Sequence, residues 1–98
     1  MIRHIVFFSV RDPGDVPNVV SELNRLGEIA PVDHFEVARN EKCDLWHNEI
    51  DVVVYAEFAD LDALSRYKAD PIYEEVTARV RPKREMRVSA DIAAARDR

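Results

Sequence analysis

Apolar residues recur along this chain with two different periods. Residues 2–11 read Ile-Arg-His-Ile-Val-Phe-Phe-Ser-Val-Arg, and their β-branched and aromatic side chains predict a strand. His4, Val6, Phe8 and Val10 share one parity, and Ile5 and Phe7 share the other. Both faces of this strand are therefore apolar, and both need covering. Asp-Pro-Gly-Asp at 12–15 is a turn by composition, with Asp15 as a helix N-cap and Pro17 in the first turn. Val16, Val19, Val20, Leu23, Leu26 and Ala30 then follow at helical spacing until Pro31. Residues 32–39 alternate as a second strand, and 40–48 read as a loop. Residues 49–59 hold Ile50, Val52, Val53, Val54, Tyr55, Ala56 and Phe58, the strongest strand signal, again apolar on both faces. Asp60 caps a short helix carrying Leu61, Leu64 and Tyr67. Asp70-Pro71 interrupts that helix and starts another, with Asp70 as the cap and Pro71 at the first helical position. Glu74 and Glu75 fall near the positive end of its dipole, and Arg79 and Arg81 near the negative end, before Pro82. Residues 85–92 alternate as a last strand, and 93–98 are expected to fray.

The order β-α-β-β-α-β predicts an α+β, ferredoxin-like domain with a four-stranded antiparallel sheet and helices on one face. The other face is expected to carry Val, Phe and Ala rather than charges, so a second copy should bury it. Two sheets packed face to face make a dimeric α/β barrel, and the partner expected is the chain itself, as a homodimer. The domain is placed at 1–92, with a C-terminal tail at 93–98. With 98 residues and 47% hydrophobic content, the chain suits one core rather than two domains or a disordered polymer. Only 2 glycines exclude a glycine-rich phosphate loop. The net charge of −5, from 14 basic and 19 acidic residues, makes nucleic acid an unsuitable partner. Apolar runs are too short for a bilayer span, so no membrane is expected, and the N-terminal stretch lacks a signal peptide's length and cleavage site. Cys43 is a single cysteine without an intramolecular partner, which fits a reducing, cytoplasmic location.

Three segments point to a family. Met-Ile-Arg-His-Ile-Val-Phe-Phe at the start, Asp-Val-Val-Val-Tyr-Ala-Glu-Phe-Ala-Asp in the centre, and Leu-Ser-Arg-Tyr-Lys-Ala-Asp-Pro-Ile-Tyr after it occur in order. Together they resemble the stress-responsive α/β-barrel (Dabb) family over roughly residues 1–92. The resemblance implies a small homodimeric barrel with a cavity. Among plant members it implies comparison with a ring-forming, stress-induced protein and with a cyclase that closes a linear polyketide by aldol condensation. The cyclase's strand-one histidine corresponds to His4, and its tyrosine before the proline segment corresponds to Tyr67. Its third-strand histidine corresponds to Val52, which can move no proton. The family's His-Pro-x-His becomes Asp70-Pro71-Ile72-Tyr73, so Tyr73 stands where the cyclase has its general base. A phenol with a pKa near 10 is a poor base at neutral pH. These substitutions argue against transferring the cyclase chemistry.

The candidate site follows from these residues. His4 lies on an apolar strand face and is either a proton-transfer group or a core histidine with a local partner. Tyr67 and Tyr73 flank the Asp-Pro break and either orient a carbonyl or phenol, or simply pack with their hydroxyls at the edge. Val6, Phe8, Val52, Val54 and Trp46 are the expected pocket lining for a small apolar or aromatic ligand, with Trp46 either at the mouth or against a partner. Asp70 is read as a cap rather than an acid. Cys43, Asp44, His47 and His34 lack zinc spacing, so no metal and no cofactor is expected. The basic run 79–84 is read as a solvated helix end, because no aromatic platform interleaves it. The leading function is ligand binding without an assigned activity. The alternatives are a cofactor-free enzyme acting on a carbonyl or phenolic small molecule, and a purely structural, oligomer-forming protein. The enzyme reading needs a cavity of about 300 Å³ or more beside His4 and both tyrosines.

Overall fold

The computed structural model describes residues 1–96. Its strands are β1 (Ile2–Val10), β2 (His34–Arg39), β3 (Val52–Phe58) and β4 (Arg84–Ala93); its α-helices are α1 (Val16–Asn24), α2 (Leu61–Ala69) and α3 (Pro71–Val80). The strands form one sheet in the order β2-β3-β1-β4, antiparallel throughout. This is the ferredoxin-like arrangement expected from the alternation of elements. The last strand runs one residue beyond each expected end, so Ala93 is strand rather than tail, and residues 97 and 98 of the expected tail lie outside the described residues.

Period two sorts β1 cleanly. Val6, Phe8 and Val10 are buried under the helices, and β3 adds Val52, Val54, Ala56 and Phe58 to the same layer. Val19 and Leu23 of α1, Ala63, Leu64 and Tyr67 of α2, and Val76 and Val80 of α3 close it from above. Aligned apolar surface of this kind is the main stabilising term, at roughly 25 cal/mol per Å² removed from water.

The start of the first helical segment differs from expectation. Asp15 makes no side-chain capping bond; Asp12 does, its Oδ1 accepting from Gly14 N at 2.9 Å. Asp12-Pro13-Gly14 first closes a short 3₁₀ turn over Pro13–Asp15, so the polar cap falls three residues upstream of Asp15. The other end also departs from the expected helix reaching toward Pro31. The α-helix stops at Asn24 and tightens into a 3₁₀ segment, Arg25–Glu28. Gly27 in this segment presses against Phe35 of β2, and a Cβ there would meet the ring carbon Cδ2 at 2.8 Å. The caps at the other two helices are as expected: Asp60 Oδ1 accepts from Ala63 N and Asp70 Oδ1 from Ile72 N, each at 2.8 Å.

The uncovered sheet face is only partly apolar. Phe7, Val88 and Ile92 are 38%, 50% and 47% exposed on β1 and β4. The registers place Arg3 opposite Glu57 and Glu36 opposite Tyr55, and their parity puts all four on this same face. The expectation of a face without charges is thus corrected: Phe7 of β1 with Val88 and Ile92 of β4 make an apolar strip, while Arg3 of β1, Tyr55 and Glu57 of β3 and Glu36 of β2 make a polar patch on the same face. Parity hides this in the sequence, because which strand pairs with which decides where the charges gather. Tyr55 donates its hydroxyl to Glu57 Oε2 at 2.6 Å, which allows that carboxyl group to be buried.

The two aspartates near the helix starts provide a direct test. Asp70→Ala should lower unfolding free energy by about 1 kcal/mol. Asp15→Ala, with no capping bond to lose, should change it by less than about 0.5 kcal/mol. Urea unfolding at one fixed protein concentration measures both, and equal losses would show the capping assignment to be wrong.

Candidate functional site

The site begins at the pairing of β1 with β4. In that register His4 lies opposite Asp91, Val6 opposite Ser89 and Phe8 opposite Arg87. All of these residues face the helices. His4 is buried, and its Nδ1 is hydrogen-bonded to Asp91 Oδ1. An ionised carboxylate can only accept, so the imidazole donates from Nδ1 and its second nitrogen, Nε2, is the acceptor. Phe58 and Tyr67 hold the ring edge-on, with centroids 6.2 and 6.1 Å away, and Tyr73 packs on Tyr67 at 5.2 Å.

Burial acts on His4 and Tyr67 in this cluster. It lowers the His4 pKa below its ordinary 6.5, outweighing the opposing effect of the Asp91 hydrogen bond and charge; Lys68 and Arg87 add to the lowering. At neutral pH the imidazole is uncharged and able to take a proton. Burial also pushes the Tyr67 phenol far above its ordinary value, with Tyr73 adding to the shift, so Tyr67 stays protonated and acts only as a neutral hydroxyl.

The space beside these groups has two parts. A cavity of about 20 Å³ is lined by His4, Val6, Phe8, Leu23, Leu26, Val54, Tyr67, Tyr73, Thr77 and Arg87. It has room for one water molecule. A wider cleft of about 290 Å³ lies against Lys68, Tyr73, Thr77, Arg81, Arg84 and Arg87. Tyr73, Thr77 and Arg87 border both, so the cleft adjoins the cavity.

The structure brings together His4, Tyr67, Tyr73, Val6, Phe8 and Val54. It does not bring Val52 or Trp46 to either space. Val52 is fully buried opposite Phe8, and Trp46 is 75% exposed in the 40–51 loop. The feet of that loop are tied down: Asp51 accepts from Val10 N at 2.7 Å and pairs with Lys42 at 2.7 Å. The enzyme reading required about 300 Å³ beside His4 and both tyrosines; the cavity there is about 20 Å³, because Leu23 and Leu26 line the same layer, so the closed chain does not meet that requirement. Asp91, Thr77 and Arg87 were missed by sequence reasoning. The spacing of Tyr73 and Thr77 on one helical face was an available signal for Thr77. Asp91 had no such signal, since it meets His4 only through a register across the whole chain. Among the described residues no group of three or more His, Cys, Asp or Glu side chains gathers to hold a metal. Cys43 is exposed, and no helix among the described residues is long and apolar enough to cross a membrane.

A buried histidine bonded to a carboxylate, in the only helix-covered face of a ferredoxin-like sheet, defines a small α+β domain with a polar group set in its core. Residues 2–94 match the stress responsive A/B barrel domain (Dabb), and the chain belongs to that family. It is similar to a Dabb-family protein of ferredoxin-like fold from Mesorhizobium loti, at 26% identity and a TM-score of 0.80, covering 95% of each chain. A dimeric ferredoxin-like protein of unknown function from Thermobifida fusca is 24% identical at a TM-score of 0.82, covering 95% of this chain and 90% of that one. An Arabidopsis thaliana protein is 16% identical at a TM-score of 0.83, over 100% and 99% of the two chains. No curated protein matches the chain significantly.

The lowered His4 pKa has a defined sign in stability. The unfolded chain binds a proton near pH 6.5 and the folded chain only at lower pH. The contribution from neutral His4 is therefore complete above pH 6.5 and is lost as pH falls from there toward the folded pKa. Asp91→Asn removes the groups that oppose the lowering and should move the His4 pKa further down. Titration of the His4 ring by NMR checks this, and a wild-type value above 6.5 would contradict the burial argument.

Proposed function

We propose that this chain forms a homodimer through its open sheet face and that each copy binds a small carbonyl or phenolic molecule at the cleft, with His4 as proton acceptor only where the ligand widens the 20 Å³ cavity beside it. The observation that carries this reading is the His4–Asp91 pair beside the cavity that adjoins the cleft. A buried imidazole held neutral, with Nδ1 committed to a carboxylate, has the arrangement of a general base. Tyr67 and Tyr73 hydroxyls would orient the carbonyl or phenol oxygen, Tyr67 being the one held protonated. The aromatic walls suit an apolar ligand body. A ligand that reaches His4 must displace side chains at the narrow cavity, and Tyr73, only half-buried at the boundary, is the nearest candidate to move.

A second reading, ligand binding without chemistry, is favoured by the 20 Å³ cavity, which holds no substrate atom beyond water in the closed chain. Exchange of α-hydrogens of cyclohexanone for deuterium in D₂O, followed by NMR, separates the two. Under the first reading wild-type protein accelerates exchange, and His4→Gln removes at least about a hundredfold of that acceleration. Acceleration that survives His4→Gln eliminates the proton-acceptor role; binding with no acceleration supports the second reading.

The dimer rests on the apolar strip of Phe7, Val88 and Ile92 and on the dimeric description of the Thermobifida fusca neighbour. The exposed thiol of Cys43 is in keeping with a reducing cytoplasm. Sedimentation at micromolar concentration should give about twice the 11.3 kDa chain mass, and Phe7→Asp with Val88→Asp should give a monomer. A wild-type monomer would refute the assembly.

A further inference from the structure

The basic run at 79–84 divides into two sets of side chains with different surroundings. Arg79 pairs with Glu75 at 3.0 Å and reaches Glu22 at 3.4 Å, and Lys83 bonds to Asn18. Arg81 and Arg84 turn to the cleft instead, where Lys68 of α2 and Arg87 of β4 join them. Among the described residues, none of these four cations has a carboxylate within ion-pair distance. That is unexpected in a chain with more acidic than basic residues. Burial, together with the charges of Arg87 and Arg81, already pulls the Arg84 pKa below its usual range. The C-terminal ends of α2 and α3 favour Lys68 and Arg81, whereas Arg84 and Arg87 lie on a strand and have no such helix end.

A backbone irregularity creates the arrangement. In a regular strand, residues three apart face opposite sides of the sheet. The β1–β4 register shifts between Ser9 and Val10, so Ser9 faces Met86 while Val10 faces Arg84, and Glu85 is the extra residue. Arg84 and Arg87 are thereby brought to the same, helix-covered side. Two guanidinium forks on one strand can grip a carboxylate or phosphate with paired N–H donors, which a lysine cannot do. The cleft holds about 290 Å³, enough for such a group and part of a ring, and Tyr73, Thr77 and Arg87 link it to the His4 cavity.

We propose that this cleft binds the anionic group, a carboxylate or phosphate, of the small molecule whose apolar body extends toward His4. This deepens the ligand-pocket reading above and rests on it for the direction of the ligand body. The ligand class is then an aromatic or carbonyl-bearing acid or phosphate ester, held at its charged end by Arg84 and Arg87 with Lys68 and Arg81 around it.

The test uses the full chain and three probes: benzoate, inorganic phosphate and neutral benzyl alcohol. NMR follows the Nε–H signals of Arg84 and Arg87 and the ring C–H signals of His4. Benzoate should move both sets, phosphate the arginines alone, and benzyl alcohol should bind at least about tenfold more weakly than benzoate. Tighter binding of phosphate than of benzoate assigns a phosphate ester; the reverse assigns a carboxylic acid. Arg84→Gln with Arg87→Gln should lower benzoate affinity at least about tenfold while leaving benzyl alcohol unaffected, and Arg79→Gln, outside the cleft, should leave benzoate affinity within about twofold. The double variant removes like-charge repulsion, so its thermal midpoint should hold or rise, and single Arg84→Lys, which keeps the charge and loses the fork, should give an intermediate affinity. Anion binding undiminished in the double variant, or no arginine response at millimolar benzoate and phosphate, overturns the proposal. Arginine shifts with a His4 ring silent to every probe would retain the anion site and remove the pocket reading on which the ligand's direction rests.

Discussion

Everything at the site depends on one pairing, that of the central strand β1 with β4. The register sets His4 against Asp91 and Phe8 against Arg87. A one-residue slip of β4 would turn Asp91 toward the open sheet face and leave the buried His4 imidazole without its carboxylate. The pairing is fixed from both sides: β3 locks β1 through Val6 opposite Val54 and Phe8 opposite Val52, all of them in the core. Burying a polar ring is tolerable only when its hydrogen-bonding groups are met. Here hydrophobic burial fixes the register, and the register supplies the hydrogen bond.

The same constraint explains which parts of the protein could be read from its residues. The strands and helices could, because each carries its own local signal: β-branched and aromatic runs in β1 and β3, alternation in β2 and β4, and an aspartate cap before α2 and α3. The placement of His4 on a buried face could be read for the same reason. Asp91 could not, because it belongs to a strand whose partner lies at the other end of the chain and no local pattern encodes that register. Asp12 displaced Asp15 as the cap because two aspartates flank one Pro-Gly turn, and only backbone geometry chooses between them. Trp46 was expected at the pocket mouth or against a partner because an exposed tryptophan is unusual; in the single chain the loop holding it is anchored through Asp51 to Val10, away from both spaces, and leaves the ring exposed.

The divided basic run carries the same lesson at the level of charge. In sequence, Arg79 through Arg84 is one patch at a helix end. In space, helical and strand geometry send its members to different environments, and the register shift beside Val10 decides the most consequential of these placements. That shift is also where β1 ends and the chain departs toward the Asp12 turn, and it brings Arg84 onto the helix-covered side with Arg87.

Electrostatics then separate the pocket into a floor and a mouth. At the floor, burial keeps His4 neutral and Tyr67 protonated, so His4 can accept a proton and Tyr67 can donate a hydrogen bond without either holding a permanent charge. At the mouth, the side chains of Arg84, Arg87, Arg81 and Lys68 gather around the cleft. Such a gradient orients any amphipathic anion with its charge outward and its neutral end toward the imidazole. It also disfavours protonated His4, since Lys68 and Arg87 both push its pKa down. An anion in the cleft would neutralise part of that field and raise the His4 pKa toward its ordinary value, so occupancy of the mouth and basicity at the floor are coupled by simple Coulomb interaction.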